Sequence, residues 1–327
     1  MIVQDSLLVT LVKLVDRIPV PPAPPKREQG RPKVYPDRLF LKALVIMIVR
    51  HLHKVHELLS VLEQPTTEMR ALRALMTVKG RYPSRRTWER RLKAIPDSLP
   101  AQIGCLGRYL VDLIGPWENC GRAAAADSTV LRANGGVWHK KHREKGQVPH
   151  TSIDTEAHWT KSGWHGWVYG WKLHLIATVA AVWIPLAADL TPANEADTIA
   201  IESLLWELPL EVRYVLGDQH YNAPNVEQVC QRTGRNLVTS QPGPYPHTDI
   251  GVEVRRIFHK LRSITIENFN EQFKGIFDVH GQVPTKGLVN TRRFALGAIF
   301  VYQLVLLYRF EHHMPLRVGL KAFLKAA

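Results

Sequence analysis

Three acidic residues are the candidate catalytic residues of this chain: Asp127, Asp218 and Glu267. Asp127 lies near the end of a short apolar segment that predicts a strand, and Asp218 follows another such segment at once. Glu267 lies on a predicted helix. Carboxylates that converge repel one another unless a cation neutralises them, and the hard dications Mg²⁺ and Mn²⁺ suit such a site. Two such ions about 3.5–4 Å apart could activate water or a 3′-hydroxyl for phosphodiester displacement.

The predicted helix over residues 261–277 has two distinct faces. Its apolar residues fall at helical spacing and predict one buried stripe. The members of this stripe are Phe269, Phe273, Ile276 and Phe277. On another face Glu267, Glu271 and Lys274 recur at i, i+4 and i+7, with Asn270 beside them. An amphipathic helix whose polar face is only solvated is the alternative interpretation.

The segments around these acids predict a sheet with helices on its faces. Strands are predicted at residues 122–131, 168–179, 182–190, 212–216 and 236–239. Three antiparallel strands followed by strand–helix units describe a mixed five-stranded α/β sheet. The fourth strand must pair with the first for Asp127 and Asp218 to meet. Residues 132–167 are predicted as a long loop, whose basic stretch at 139–145 either contacts phosphates or is solvated.

The first 118 residues are predicted to be helical and basic. Five prolines followed by charged residues at 19–33 predict a linker. A helix is predicted from Ser84, its N-cap, and carries Arg85, Arg86 and Arg90. With the helix and turn before it, this helix resembles a helix-turn-helix, whose arginines would neutralise phosphates. We therefore expect a helical DNA-binding region at 1–118, and a solvated basic helix is the alternative.

Composition narrows the class of partner. The net charge of +14 and a pI near 9.8 favour a polyanion, nucleic acid before membrane. The three cysteines are scattered and form neither a disulfide framework nor a CxxC metal site, which suits a reducing cytosol. No signal peptide is recognised, and the longest apolar runs predict buried helices instead of membrane spans.

The ordered motifs resemble those of the bacterial insertion-sequence transposases of the DDE class. Asp127-Ser128-Thr129 looks like the first-acid motif, and LGDQHY at 216–221 looks like the second, with its tyrosine at Tyr221. IENFNEQFK at 266–274 looks like the third-acid helix, with Lys274 seven residues after Glu267. The resemblance covers most of the chain, including the segments 30–44, 83–92, 170–179 and 184–197.

This resemblance implies an RNase H-like catalytic domain at 119–327 in a transposase. It implies that Asp127, Asp218 and Glu267 hold two Mg²⁺ or Mn²⁺ ions for DNA strand cleavage and strand transfer. The partners would be terminal inverted repeats and target DNA, bound by a homodimer in the bacterial cytoplasm, with no membrane. The residues expected to position DNA phosphates are Lys274, Arg262, Tyr221, Lys172, His174, Arg85, Arg86 and Arg90.

One part of the family's pattern is displaced in this chain. The family often carries an arginine four residues before the glutamate, where this chain has Ser263, and Arg262 is one residue off. A local bulge would restore Arg262. Otherwise the basic role falls to Arg255, Arg256 or Lys260.

Rival residues and rival functions stay open. Glu271 is the rival third acid, although the spacing to Lys274 in the family favours Glu267. Asp189 and Asp197 are rivals to Asp218, and we interpret both as structural or capping residues. The alternative functions are an RNase H-like nuclease that cuts without joining and a catalytically silent, transposase-derived DNA-binding protein. A membrane-surface role is disfavoured because the basic residues are dispersed over folded elements.

Overall fold

A computed structural model describes residues 5–22, 34–118, 120–163, 166–239 and 249–327. Most of the predicted linker at 19–33 lies outside these residues. Residues 240–248 lie outside them as well.

Helices build the N-terminal part of the chain, as predicted. Their bounds are α1 (Leu7–Leu14), α2 (Asp37–Val49), α3 (Val55–Leu62), α4 (Thr67–Leu75), α5 (Arg85–Ala94) and α6 (Leu99–Glu118). Ser84 is the N-cap of α5, as predicted, and its hydroxyl accepts a hydrogen bond from the backbone amide of Thr87. The connection between α4 and α5 differs from that of a usual helix-turn-helix. Residues 76–84 between α4 and α5 contain a small turn closed by Val78 and Arg81, which is longer than the usual turn of about 3–4 residues.

The sheet confirms the predicted order of strands. Its members are β1 (Ala123–Arg132), β2 (His158–Ser162), β3 (Gly166–Thr178), β4 (Pro185–Pro192), β5 (Tyr214–Leu216) and β6 (Asn236–Val238). β1 pairs antiparallel with β3, and β3 with β4, whereas β5 is parallel to both β1 and β6. The spatial order β4-β3-β1-β5-β6 is that of an RNase H-like sheet.

Two details of the sheet differ from the predictions. The region 132–167 is not only a loop, because it contains the short helix α7 (Lys140–Arg143) and strand β2. β2 forms because β3 begins at Gly166, earlier than predicted, and its residues 166–170 pair with β2. β1 also continues to Arg132 alongside β3, so Asp127 lies in the middle of its strand.

Helices cover the sheet and close the core. They are α8 (Asp197–Trp206), α9 (Pro224–Arg232), α10 (Asp249–Arg262), α11 (Asn268–Ile276), α12 (Leu288–Glu311) and α13 (Leu320–Lys325). By length and composition α12 could cross a membrane, but 83% of its most apolar window is buried inside the protein. It is therefore a core helix, as its apolar pattern predicts. α12 packs on α6, β4 and α2, so helices and sheet share one hydrophobic core.

Candidate active site

Strands β1 and β5 bring the first two acids together. Their parallel pairing ends at Ala125 and Leu216, and Asp127 and Asp218 each lie two residues further on. The two acids therefore occupy equivalent places beyond the last backbone pair. Oδ1 of Asp218 also accepts a hydrogen bond from the backbone amide of His220 at 2.8 Å. This bond forms the start of the turn that follows β5.

A glycine permits the tight turn at Asp218. A Cβ on Gly217 would lie 2.8 Å from the Cβ of Tyr221, closer than real side chains approach. Without a side chain at Gly217, the ring of Tyr221 folds back under the turn and is 2% exposed. The motif therefore packs Tyr221 against the backbone that carries the second acid.

The third acid reaches the sheet through a change of helical register. Between α10 and α11, residues Ser263–Glu267 form a π-helical turn, in which residues five apart lie above one another. Arg262 consequently donates from Nη2 to Oε1 of Glu267 at 2.7 Å, and its Nη1 lies 3.9 Å from Oδ1 of Asp127. This π turn is the local bulge that returns Arg262 to the acids despite its displaced position in the sequence.

Asn270 is a contact of the first acid that the sequence analysis did not assign. Its Nδ2 donates to Oδ2 of Asp127 at 3.0 Å, and the side chain is 8% exposed. Its carbonyl oxygen is buried and makes no hydrogen bond within the described residues. The signal in the sequence was its place one turn after Glu267, on the side of α11 that meets β1.

The acids interact electrostatically, and Asp127 is the most affected. Burial is the main cause that raises the pKa of Asp127 to about 7, and the charges of Asp218 and Glu267 raise it further. The guanidinium of Arg262 and the amide of Ser128 act in the opposite direction. Even beside Arg262, Asp127 is therefore partly protonated at neutral pH, and a further cation would favour its charged form.

The hydroxyl of Tyr221 lies within reach of the charges of Asp127 and Asp218. It is buried and has no hydrogen-bond partner among the described residues. Burial, followed by the charges of Asp127, Asp197 and Asp218, raises its pKa well above that of a free tyrosine. The phenol therefore stays protonated and can serve as a hydrogen-bond donor beside the carboxylates.

Lys172 and His174 lie on the other face of the sheet. In the register of β1 and β3, Asp127 is opposite Leu175, whereas His174 is opposite Ser128. Neighbouring residues of a strand point to opposite faces, so the structure does not bring the side chain of His174 to Asp127.

A buried polar cluster holds both of these side chains. Nζ of Lys172 lies 3.2 Å from Oδ1 of Asp197, and Nε2 of His174 lies 2.8 Å from Oγ1 of Thr191. His174 is completely buried, and this burial is the main cause that lowers its pKa to about 4. Asp197, the first residue of α8, thus pairs with Lys172, and its charge also acts on the buried Tyr221.

The other predicted phosphate contacts fall into two places. Burial lowers the pKa of Lys274 on α11, and the charge of Glu271, followed by that of Asp127, opposes this lowering, so Lys274 is near Asp127. Arg85, Arg86 and Arg90 are exposed on α5, far along the chain from the sheet. The structure therefore groups Lys274, but not the α5 arginines, with the candidate active site.

The rival acids have other partners. Glu271 is exposed and lies 3.6 Å from Nε2 of His280. Asp189 accepts from Nε of Arg292 at 2.7 Å. Glu267 is exposed as well, but the guanidinium of Arg262 contacts both Glu267 and Asp127.

The donor atoms at this site fit a hard dication. Asp127, Asp218 and Glu267 offer carboxylate oxygens, and the unpartnered oxygen of Asn270 adds a neutral one, the ligand types that Mg²⁺ and Mn²⁺ prefer. Within the described ranges, however, no three acidic, histidine or cysteine side chains lie close enough to hold one ion together. The guanidinium of Arg262 lies between Asp127 and Glu267 instead.

Comparison with known proteins identifies the domain that contains these acids. Residues 120–282, about half of the chain, match the family model of the transposase DDE domain. No curated protein gave a match.

Two solved structures are similar over most of their length. The Mos1 transposase paired-end complex with left transposon end shows 15% identity and a TM-score of 0.23, over 89% of this chain and 81% of that one. The pre-cleavage Mos1 transpososome shows 13% identity and a TM-score of 0.22, over 87% and 81%.

Proposed function

Because the chain belongs to the DDE transposases through its domain at residues 120–282, we propose that it binds the terminal inverted repeats of an insertion sequence. It then catalyses metal-dependent cleavage of the DNA strand and strand transfer into target DNA. The proposal is supported above all by one observation: Asp127 and Asp218 each lie two residues beyond the last parallel pair of β1 and β5, and Arg262 lies between Asp127 and Glu267.

Asp127, Asp218 and Glu267 are the residues that would hold two Mg²⁺ or Mn²⁺ ions. Bound there, such ions would activate the attacking oxygen and stabilise the leaving oxygen of a phosphodiester. Asn270 orients the carboxylate of Asp127 through its hydrogen bond. Arg262 neutralises the acids in the DNA-free chain and can turn to a phosphate oxygen when DNA arrives.

Other residues would hold the DNA. Lys274 offers an amine near Asp127 that suits a phosphate oxygen, whereas Tyr221, a predicted phosphate contact, has its hydroxyl buried under the turn and out of reach of DNA. The exposed arginines Arg85, Arg86 and Arg90 provide a basic surface on α5, in line with the net charge of +14. The acting species would be a homodimer in the synaptic complex, in the cytoplasm.

The test is cleavage of a duplex that carries the element's end, with Mg²⁺, by the wild type and by single alanine variants. Asp127→Ala, Asp218→Ala and Glu267→Ala should each cut at least about 10³-fold more slowly, since metal ions contribute several kcal/mol to such reactions. Each should still bind DNA. Glu271→Ala is the matched control from the same helix and should cut at the wild-type rate.

Three other outcomes would point elsewhere. A wild type that binds the duplex without cutting it, in Mg²⁺ or Mn²⁺, would identify a silent DNA-binding protein. Cutting without any joined product would identify a nuclease. Loss of activity in Glu271→Ala but not in Glu267→Ala would reassign the third acid.

A further inference from the structure

A cleft of about 390 Å³ lies where the N-terminal helices meet α12. The start of α3 and one side of α5 form one wall, and the first residues of α12 form the other. Its polar lining includes Lys54, His56, Arg85, Glu89, Lys93 and Arg293. These residues are separate from the three acids, and only Arg85 belongs to the α5 surface considered above.

The charge of this cleft is strongly positive. Its one lining acid, Glu89, already accepts from Nε of Arg85 at 2.8 Å. Lys54 and Lys93 are exposed, and neither forms an ion pair with a carboxylate in the described part of the chain. Lys93 is therefore available to an anion, whereas the charge of Lys54 also acts on Glu57, whose carboxylate accepts a hydrogen bond from the Lys54 amide.

Arg293 is the buried centre of the cleft. Its side chain is 7% exposed, and Nη2 donates to the carbonyl of His53 at 3.2 Å. No described carboxylate pairs with it, although an arginine carries five N–H donors and a permanent charge. A buried charge without a partner is costly, so this guanidinium favours a ligand that brings negative charge into the cleft.

Neighbouring contacts keep the walls of the cleft in place. Arg292 donates from Nε to Asp189 of β4 at 2.7 Å, and its Nη1 lies 3.4 Å from Asp97, just after α5. Arg293 itself joins α12 to the segment before α3. The cleft is thus preorganised, which lowers the cost of ordering side chains when a ligand binds.

We propose that this cleft binds a backbone phosphate of DNA, with Arg293 as the buried anchor and Lys54 and Lys93 at the rim. The proposal rests on the proposed function, which makes DNA the polyanion that this chain meets. A planar guanidinium matches two phosphate oxygens at once, and lysines add charge without directional demands. DNA would then contact the junction of the helices with α12 as well as the acids.

The experiment measures equilibrium binding of a mixed-sequence DNA duplex across a range of salt concentrations, with a chelator to prevent cleavage. Lys93→Gln should bind more weakly, and the slope of log K against log salt should become shallower by about 0.9, the value for one lost phosphate contact. Lys13→Gln removes the same charge from α1, where Lys13 pairs with Asp5 outside the cleft. Its slope should equal that of the wild type.

Arg293→Lys tests the anchor separately. This variant keeps the positive charge but loses the bidentate contact with a phosphate. The affinity for DNA should therefore fall, while the slope of log K against log salt stays unchanged. Wild-type affinity in this variant, or equal slopes for the wild type and Lys93→Gln, would overturn the cleft proposal. If DNA cleavage still depended on Asp127, the proposed function would stand. A wild type that bound no DNA would remove both proposals.

Discussion

At the scale of single residues, Asn270 connects helix α11 to the first acid. Its amide nitrogen fixes one oxygen of Asp127, while Arg262 lies near the other. A carboxylate held in this way presents its remaining lone pairs in a defined direction. The hydrogen bond crosses 143 positions of sequence, so only the folded chain creates it.

We expect Asn270→Ala to slow DNA cleavage by about 10–100-fold, the usual cost of losing a residue that orients a metal ligand. The affinity for Mn²⁺, measured by titration calorimetry without DNA, should fall as well. Asn236→Ala is the control, because Asn236 is exposed on β6. Unchanged Mn²⁺ affinity in Asn270→Ala would show that Asn270 does not orient the acid.

Asp127 should also make stability depend on pH. Its pKa is about 7 in the folded chain and near 3.8 without these surroundings, so between these values the folded state binds a proton that the unfolded state lacks. The free energy of unfolding therefore falls as pH rises from about 4 to 7 and is constant above that range. The full effect is on the order of 4 kcal/mol.

Asp127→Asn cannot titrate, so its stability relative to the wild type should increase across the same pH range. Urea unfolding of both proteins at several pH values, with a chelator present, measures this difference. The comparison cancels the titration of groups that both proteins share. A difference that stays constant from pH 4 to 7 would contradict the raised pKa.

At the scale of elements, the chain from α10 to α11 changes its helical register at the π turn. Five-residue spacing places Arg262 above Glu267, and the stripe of Phe269 and Phe273 beyond it remains buried. Because of the extra residue in the turn, one continuous helical segment can bury Phe269 and Phe273 in the core and also place Arg262 beside Glu267. π turns of this kind occur frequently at functional sites.

The contact of α6 with β4 depends on a glycine. A Cβ on Gly107 would lie 2.4 Å from the carbonyl oxygen of Pro185 and 3.2 Å from Cα of Leu186. The helix or the strand would have to shift. The close approach of α6 therefore sets the position of the edge of the sheet.

We expect Gly107→Ala to lower the free energy of unfolding by about 1–3 kcal/mol, as overpacking does elsewhere. Gly104→Ala in the same helix is the control, since its Cβ would lie 3.5 Å from the nearest atom, an ordinary contact. That variant should be neutral or stabilised by up to about 1 kcal/mol, because alanine favours helix. Denaturant midpoints measure both, and equal midpoints would contradict the packing argument.

At the scale of the whole molecule, α12 joins the helical part to the sheet. It packs on α6 and β4 as well as on α2, and Arg292 and Arg293 extend from its first turns to both parts. The division near residue 118 therefore stays a prediction, although the two parts differ in secondary structure. The candidate active site and the cleft are consequently held on one connected framework.

The sequence alone determined the features that depend on local patterns. The succession of strands and helices, the helical N-terminal part, the N-cap at Ser84 and the buried stripe of α11 follow from periodicity and capping. The RNase H-like arrangement of the sheet was implied by the resemblance to a family and not by these local patterns. Such signals are read within about one element, because side chains repeat every 2 or 3.6 residues.

Only the tertiary structure decided which side chains meet. The contact of Asn270 with Asp127, the separation of His174 from Asp127, and the cleft around Arg293 depend on strand register, on helix rotation and on packing between distant segments. If a strand or helix shifted by one residue, these side chains would no longer meet or be separated as they are. The shift would move each side chain to the other face of its strand or around its helix. No local pattern carries that information, since the free energy that selects the register is gained only when the elements pack together.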